Sequence, residues 1–192
     1  MLKKELKGHY FVTLIWLAAI VILRLLINLK VFFSAINFLS WFLFCLGALL
    51  GTFILDIDQL VSALFFYSES LAAKQVRQLI RQNKFKEIAF LLADTYQERI
   101  KRPFHSAIFQ AFFALFSFWV VTSTGYWFGK GMVMAMGLHL LKDEIELLLK
   151  SRPELLRPWL FWQIKREVSF CEQKIFVVVM SLFFLGLNLL LI

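Results

Sequence analysis

The sequence predicts an all-α fold: a polytopic transmembrane helix bundle of about five spans, N-terminus cytoplasmic, with amphipathic helices on the cytoplasmic surface. Three observations predict it. The chain is 60% hydrophobic over 192 residues, with a mean hydropathy of +0.74. A soluble domain of that size has too little interior to hide so much apolar surface. Apolar runs near the ~20 residues that cross a bilayer recur along the chain, and Lys and Arg gather in alternate connections between them.

The first run follows "MLKKELKGHYFVTLIWLAAIVILRLL", basic and then apolar, as a signal sequence is. Its apolar part is too long for an h-region and no small-x-small cleavage site follows, so it reads as a retained span at about 10–29. Further runs lie at about 36–57, 104–122 and 175–192. A shorter one, about 126–141, holds Gly129, Lys130, Gly131 and Gly137. It spans only if it continues helically past Leu141 or packs against its neighbours. Phe is the signature residue, with 23 copies in the chain, and six Trp are available for interfacial anchoring.

Two polar segments, 67–103 and 142–174, separate the spans. The first holds eight basic residues and the second seven, and the N-terminal stub adds Lys3, Lys4 and Lys7. The connections on the other side hold only Lys30 and Lys130. The positive-inside rule therefore places the N-terminus and both long segments in the cytoplasm and the C-terminus outside. Arg24, in the outer part of the first span, can snorkel outward.

Both polar segments carry helical patterning. In 84–101, Phe85, Ile88, Ala89, Leu92 and Tyr96 repeat at helical spacing, and in 153–175 so do Leu155, Leu156, Trp159, Leu160 and Ile164. Both fit amphipathic helices, lying on the membrane where basic residues meet anionic headgroups or packed against the bundle. Lipid, not nucleic acid, is the expected partner. Cys45 and Cys171 are isolated and suggest neither a disulfide nor a Cys-based metal motif. Residues 1–192 read as one domain.

The chemistry gathers at one depth. His9 precedes the first span, Asp56 and Asp58 end the second, His105 opens the third, and His139 with Asp143 closes the fourth. All fall at the cytoplasmic ends, although the topology was drawn from Lys and Arg alone. His139 and Asp143 are four apart and share a helix face, on which Glu146 follows. Asp56 and Asp58 are two apart, so both serve one site only if the helix ends or unwinds there. Pro103 suits a first helical position and would put His105 in the first turn. The positive helix end there favours neutral imidazole.

These positions resemble the bacterial YdjM-like family of membrane-bound metal-dependent hydrolases. Gly8-His9 matches that family's early Gly-His, and "LDIDQ" (55–59) its "PDIDH". "KRPFHS" (101–106) looks like a shortened "HRGxTHS", and "GLHLLKDE" (137–144) matches "sHxxxD". The resemblance spans about residues 8–143. This chain departs from the pattern at Leu55, at Gln59 where the family has His, and before Arg102 where a His is missing. The resemblance implies a multi-pass protein of a bacterial inner membrane, with His9, Asp56, Asp58, His105, His139 and Asp143 as metal ligands.

Three His and three Asp form a mixed nitrogen and oxygen set that suits Zn, Mn or Fe. A hydrolase would take a general base from Asp58 or Asp143, and Arg102 could hold a phosphate by a bidentate contact. A phosphoester or lipid-linked substrate follows from a site at the headgroup level. The alternative is a catalytically degenerate, non-enzymatic membrane protein using the same residues structurally. A transporter is disfavoured because the middles of the spans are almost uniformly apolar.

Overall fold

The computed structural model describes residues 2–27, 35–95, 101–123, 125–149 and 155–191. The described residues form helices and no strand. The long ones are α1 (Leu2–Ile27), α2 (Ala35–Ile54), α6 (Ala107–Thr122), α7 (Trp127–Leu149) and α9 (Phe170–Leu191). Short ones lie between: α3 (Ile57–Val61), α4 (Leu71–Arg81), α5 (Phe85–Asp94) and α8 (Leu156–Leu160). Lys30, in the stretch 28–34, lies outside the described residues.

Three stretches, Gly8–Leu26, Phe38–Phe66 and Phe170–Leu191, are long and apolar enough to cross a bilayer, and α6 is a shorter apolar helix. Only 17% of the first and last of these is buried inside the molecule. Phe11, Leu14 and Ile15 on α1 and Leu182, Leu185 and Leu189 on α9 are exposed. Apolar surface of that extent requires hydrocarbon around it. The chain is a multi-pass membrane protein.

The run at 126–141 does not stop at Leu141. It continues as one helix to Leu149, 23 residues in all, or about 34 Å at 1.5 Å per residue. This helix, α7, packs on α2 along a seam of small residues. A Cβ at Gly47 would lie 2.0 Å from the Phe128 carbonyl oxygen, one at Gly51 2.3 Å from that of Met132, and one at Gly131 2.0 Å from that of Phe44. Only glycine permits such contact between backbones, the mode of association that apolar helices use in lipid. Gly47 faces Phe128 and Gly51 faces Met132, so α2 and α7 run parallel.

α1 runs antiparallel to this pair, with the Thr13 and Thr52 hydroxyls 3.1 Å apart and Trp16 against Phe44. α9 returns alongside α1, where Trp16 Nε1 donates to Asn188 Oδ1 at 2.7 Å. Phe44, Ala48, Val133, Met134 and Ala135 form the buried centre. Arg24 does more than snorkel: its Nε donates to the Leu191 carbonyl at 3.1 Å, and its guanidinium lies 5.4 and 5.1 Å from the Trp41 and Trp127 rings. A carbonyl at the end of α9 lacks an intrahelical partner, which is why a cation serves there.

The segment 67–103 carries α4 and α5. Ser70 caps α4 by accepting from the Ala73 amide at 3.1 Å. Val76, Ala63, Ile88 and Leu92 pack together, so part of the apolar stripe of α5 faces protein while Phe85 and Phe90 remain exposed. The expected end of that helix, Tyr96 included, lies outside the described residues, as does the start of the segment expected at 153–175. The rest of 153–175 departs from expectation. Only α8 is helical before an irregular stretch from 161 to 169. Leu156, Trp159, Leu160, Phe161 and Val168 are all buried, packing with Ala107 and Val177. Consecutive apolar residues at 159–162 cannot form one lipid-facing stripe, and Pro158 withdraws a backbone donor.

Candidate metal centre

The helix directions bring the start of α1, the end of α2, the start of α6 and the end of α7 together, and with them the polar residues that the sequence places at one depth. His9 Nε2 lies 3.2 Å from Asp143 Oδ1, and the His9 ring stacks on His139 with centroids 4.0 Å apart. His139 Nε2 lies 3.5 Å from Asp143 Oδ2, one turn along α7. His9, His139 and Asp143 each offer a ligand atom, all within 4.8 Å of one another. Half-buried or buried, they form a cluster capable of holding a metal ion.

The ring of His139 is oriented by backbone. Its Nδ1 lies 2.8 Å from the Thr52 carbonyl oxygen. A carbonyl only accepts, so Nδ1 carries the proton and Nε2 keeps its lone pair. The contact exists because Gly51, one residue earlier, lets the two helices meet. Thr52 is itself fixed, its hydroxyl donating to the Ala48 carbonyl at 2.9 Å.

His105 is the neighbouring imidazole. Its Nδ1 meets Asp58 Oδ2 at 2.5 Å, and its Nε2 lies 3.7 Å from Asp143 Oδ2. Trp159 covers the ring at a centroid distance of 5.0 Å. Both His105 and Asp58 are fully buried. The Nε2 atoms of His105 and His139, Nδ1 of His9 and Oδ1 of Asp58 are buried without a hydrogen-bond partner among the described residues.

Two sequence expectations about this corner meet different outcomes. The helix does change course at the Asp pair: α2 ends at Ile54 and tight turns follow, Asp56 N to Phe53 O at 2.9 Å and Asp58 N to Leu55 O at 3.0 Å. Asp58 thereby reaches His105. Asp56 is half-buried, accepts from Gln59 at 3.4 Å and lies in the electrostatic field of His139, Asp143 and His105. His105, by contrast, is not in the first turn of a helix. It ends a separate 3-10 turn, Pro103–His105, and Ser106 caps α6 behind it. Burial works to lower its pKa, but Asp58 and Asp143 outweigh burial and raise it to about 9. The Asp58 carboxylate, not a helix end, governs this ring.

Beyond Leu141, the end of α7 carries the remaining charges. Burial opposes ionisation of Asp143, yet His139, His105 and His9 hold its pKa well below the usual carboxylate range. Lys142 reaches His9 Nε2 at 3.1 Å. Burial opposes its charge too, but Asp143 and Glu146 outweigh that and keep its pKa above the ordinary lysine value. Glu144 is fully buried, accepts from Gln110 Nε2 at 2.5 Å, and is raised by burial to about 7. Gln110 also donates to the His105 carbonyl at 3.2 Å. Arg102 is buried, its charge bears on His105, and its carbonyl accepts from Trp162 at 3.4 Å.

Thr52, Gln110, Lys142 and Glu144 escaped the sequence reading. Gln110 and Thr52 are polar positions within apolar runs, and that signal could have found them. Glu144 and Lys142 adjoin Asp143 and pass for an ordinary charged helix end. Comparison with protein-family models, with curated proteins and with solved structures finds no match to this chain.

Proposed function

We propose that this protein is a membrane-embedded, metal-dependent hydrolase, a divergent relative of the YdjM-like family, with its centre at the cytoplasmic face of a five-span bundle in an inner membrane. One observation carries this: two helices, α1 and α7, present His9, His139 and Asp143 within reach of one another, with His105 beside them. Buried, unpartnered nitrogens on imidazoles whose other nitrogen is engaged by an oxygen are the arrangement that metal-ligating histidines adopt. The donor set fits a divalent ion of the Zn, Mn or Fe type.

His9, His139 and Asp143 would hold the ion, with His105 as the further nitrogen donor. When bound, such an ion supplies Lewis acidity, which acidifies water and polarises a phosphoryl or acyl oxygen. The chain's own residues supply the rest. Asp58 keeps the His105 ring in place and takes or returns the proton at Nδ1. Asp56, close to the same charges, can accept a proton from water. Arg102, buried beside His105, suits an anionic group such as a phosphoester. The flanking exposed Phe65, Phe66, Phe85 and Phe90, and the basic residues of α4 and α5, suit a lipid-linked substrate with an anionic headgroup.

The same groups also make mutual contacts, and Lys142 on His9 and Asp143 favours the alternative of a purely structural helix-end network. Elemental mass spectrometry on detergent-purified protein separates the two. Near-stoichiometric Zn, Mn or Fe, lost in a folded H139A/D143N double variant, supports the metal centre and leads to a phosphoester screen. Wild-type protein without metal after dialysis against divalent ions supports the structural network.

A further inference from the structure

Lys142 has no part in the proposed chemistry, yet its ammonium sits on the cluster. Nζ lies 3.1 Å from His9 Nε2, 3.3 Å from Asp143 Oδ1 and 2.9 Å from Glu146 Oε2. An ammonium has three donors and no acceptor, and here three acceptors meet it. Its stem crosses the start of α1, where a Cβ at Gly8 would lie 3.7 Å from Lys142 Cε. The side chain is 18% exposed, so this is a seated group and not one sweeping through solvent.

Two of those three acceptors belong to His9 and Asp143, residues that each offer the cluster a ligand atom. A neutral imidazole nitrogen has one lone pair. His9 Nε2 gives it either to the ammonium or to an ion. Asp143 Oδ1 is in the same position, and two cations within bonding distance of one carboxylate oxygen repel. Glu146, one turn further along α7 from Lys142, is not among the residues that offer the cluster a ligand atom and does not compete. It can keep the ammonium when the other two contacts break.

We infer that Lys142 is a tethered cation that competes with a divalent metal for His9 and Asp143, and so sets the affinity of the centre. The inference rests on the metal-centre proposal. It makes the metal-free protein electrostatically complete, so the cluster does not need an ion in order to fold. It also gives the site a built-in discrimination: only an ion that binds the nitrogen and oxygen donors strongly enough displaces the lysine.

The experiment is a titration of full-length, detergent-purified protein with Zn²⁺ alone and with Mn²⁺ alone. Wild type is compared with K142M and K142Q, folding being verified by circular dichroism and gel filtration. Both variants are expected to bind metal roughly tenfold more tightly or better, the scale on which a neighbour tunes a metal site. Binding by the wild type that is as tight as in a folded variant overturns the competition and leaves the metal centre standing. No binding by any folded protein overturns both. A second measurement needs no variant: metal added to wild type should expose Lys142 to an amine-reactive label, read by peptide mass spectrometry. Metal binding with unchanged labelling of Lys142 overturns the inference.

Discussion

His139 and His105 are each held at Nδ1 by an oxygen, a backbone carbonyl in one case and a carboxylate in the other. The two supports fail differently. Asp58→Asn keeps the size but not the charge that orients His105, and metal affinity should fall about 10- to 100-fold in titration of the purified variant. Asp58→Ala leaves a buried imidazole without its partner and should cost about 3 kcal/mol in unfolding of the solubilised protein. Thr52→Val is the contrasting case. It removes the hydroxyl contacts to Thr13 and Ala48, costing about 1 kcal/mol, but His139 binds the backbone, so metal affinity should be unchanged. The convergence of His9, His139 and Asp143 was legible in part, because depth along a helix is written in sequence position. The pairing of Asp58 with His105 was not, because residues 47 apart meet through space and no periodicity records it.

Elements differ in how openly they declare themselves. The long apolar helices follow from composition, and α7 from a condition the sequence left open, its continuation past Leu141. The glycines within α7 looked like a weakness of the span. In the fold, Gly131 is what joins it to α2, together with Gly47 and Gly51. Gly51→Ala and Gly131→Ala should each force the helices apart, costing about 1–3 kcal/mol or more in thermal unfolding and lowering metal content in parallel. Gly186→Ala, where nothing lies within 4 Å, should do neither. Of the two placements open to the 153–175 segment, the fold takes packing against the bundle, and the helix expected there shortens to α8 because the apolar spacing also suits a folded-in loop. Periodicity does not distinguish protein neighbours from lipid.

The molecule as a whole ties its first helix to its seventh through the His9–His139–Asp143 cluster. Metal at about 100 times its dissociation constant should stabilise the wild type by about 2.7 kcal/mol. A His9→Ala variant should gain much less, which scanning unfolding with and without Zn²⁺ would measure. Orientation can be checked in intact cells after Cys45 and Cys171 are replaced. A cysteine at Tyr126, exposed beside the α6–α7 turn, should react with an impermeant maleimide, and one at Gln82, after α4, should be protected. The reverse pattern would invert the topology.

The parallel seam of α2 and α7 works as a ruler. Gly51 precedes Thr52 by one residue, and Gly131 precedes His139 by eight, so the glycine contacts fix where the carbonyl and the ring meet. One residue inserted between 131 and 139 would turn the ring by about 100° and slide it about 1.5 Å, away from its carbonyl. Point substitutions can alter such a centre step by step. Insertions and deletions between the seam and the site cannot, so in any related chain these two counting distances should vary less than the residues they separate.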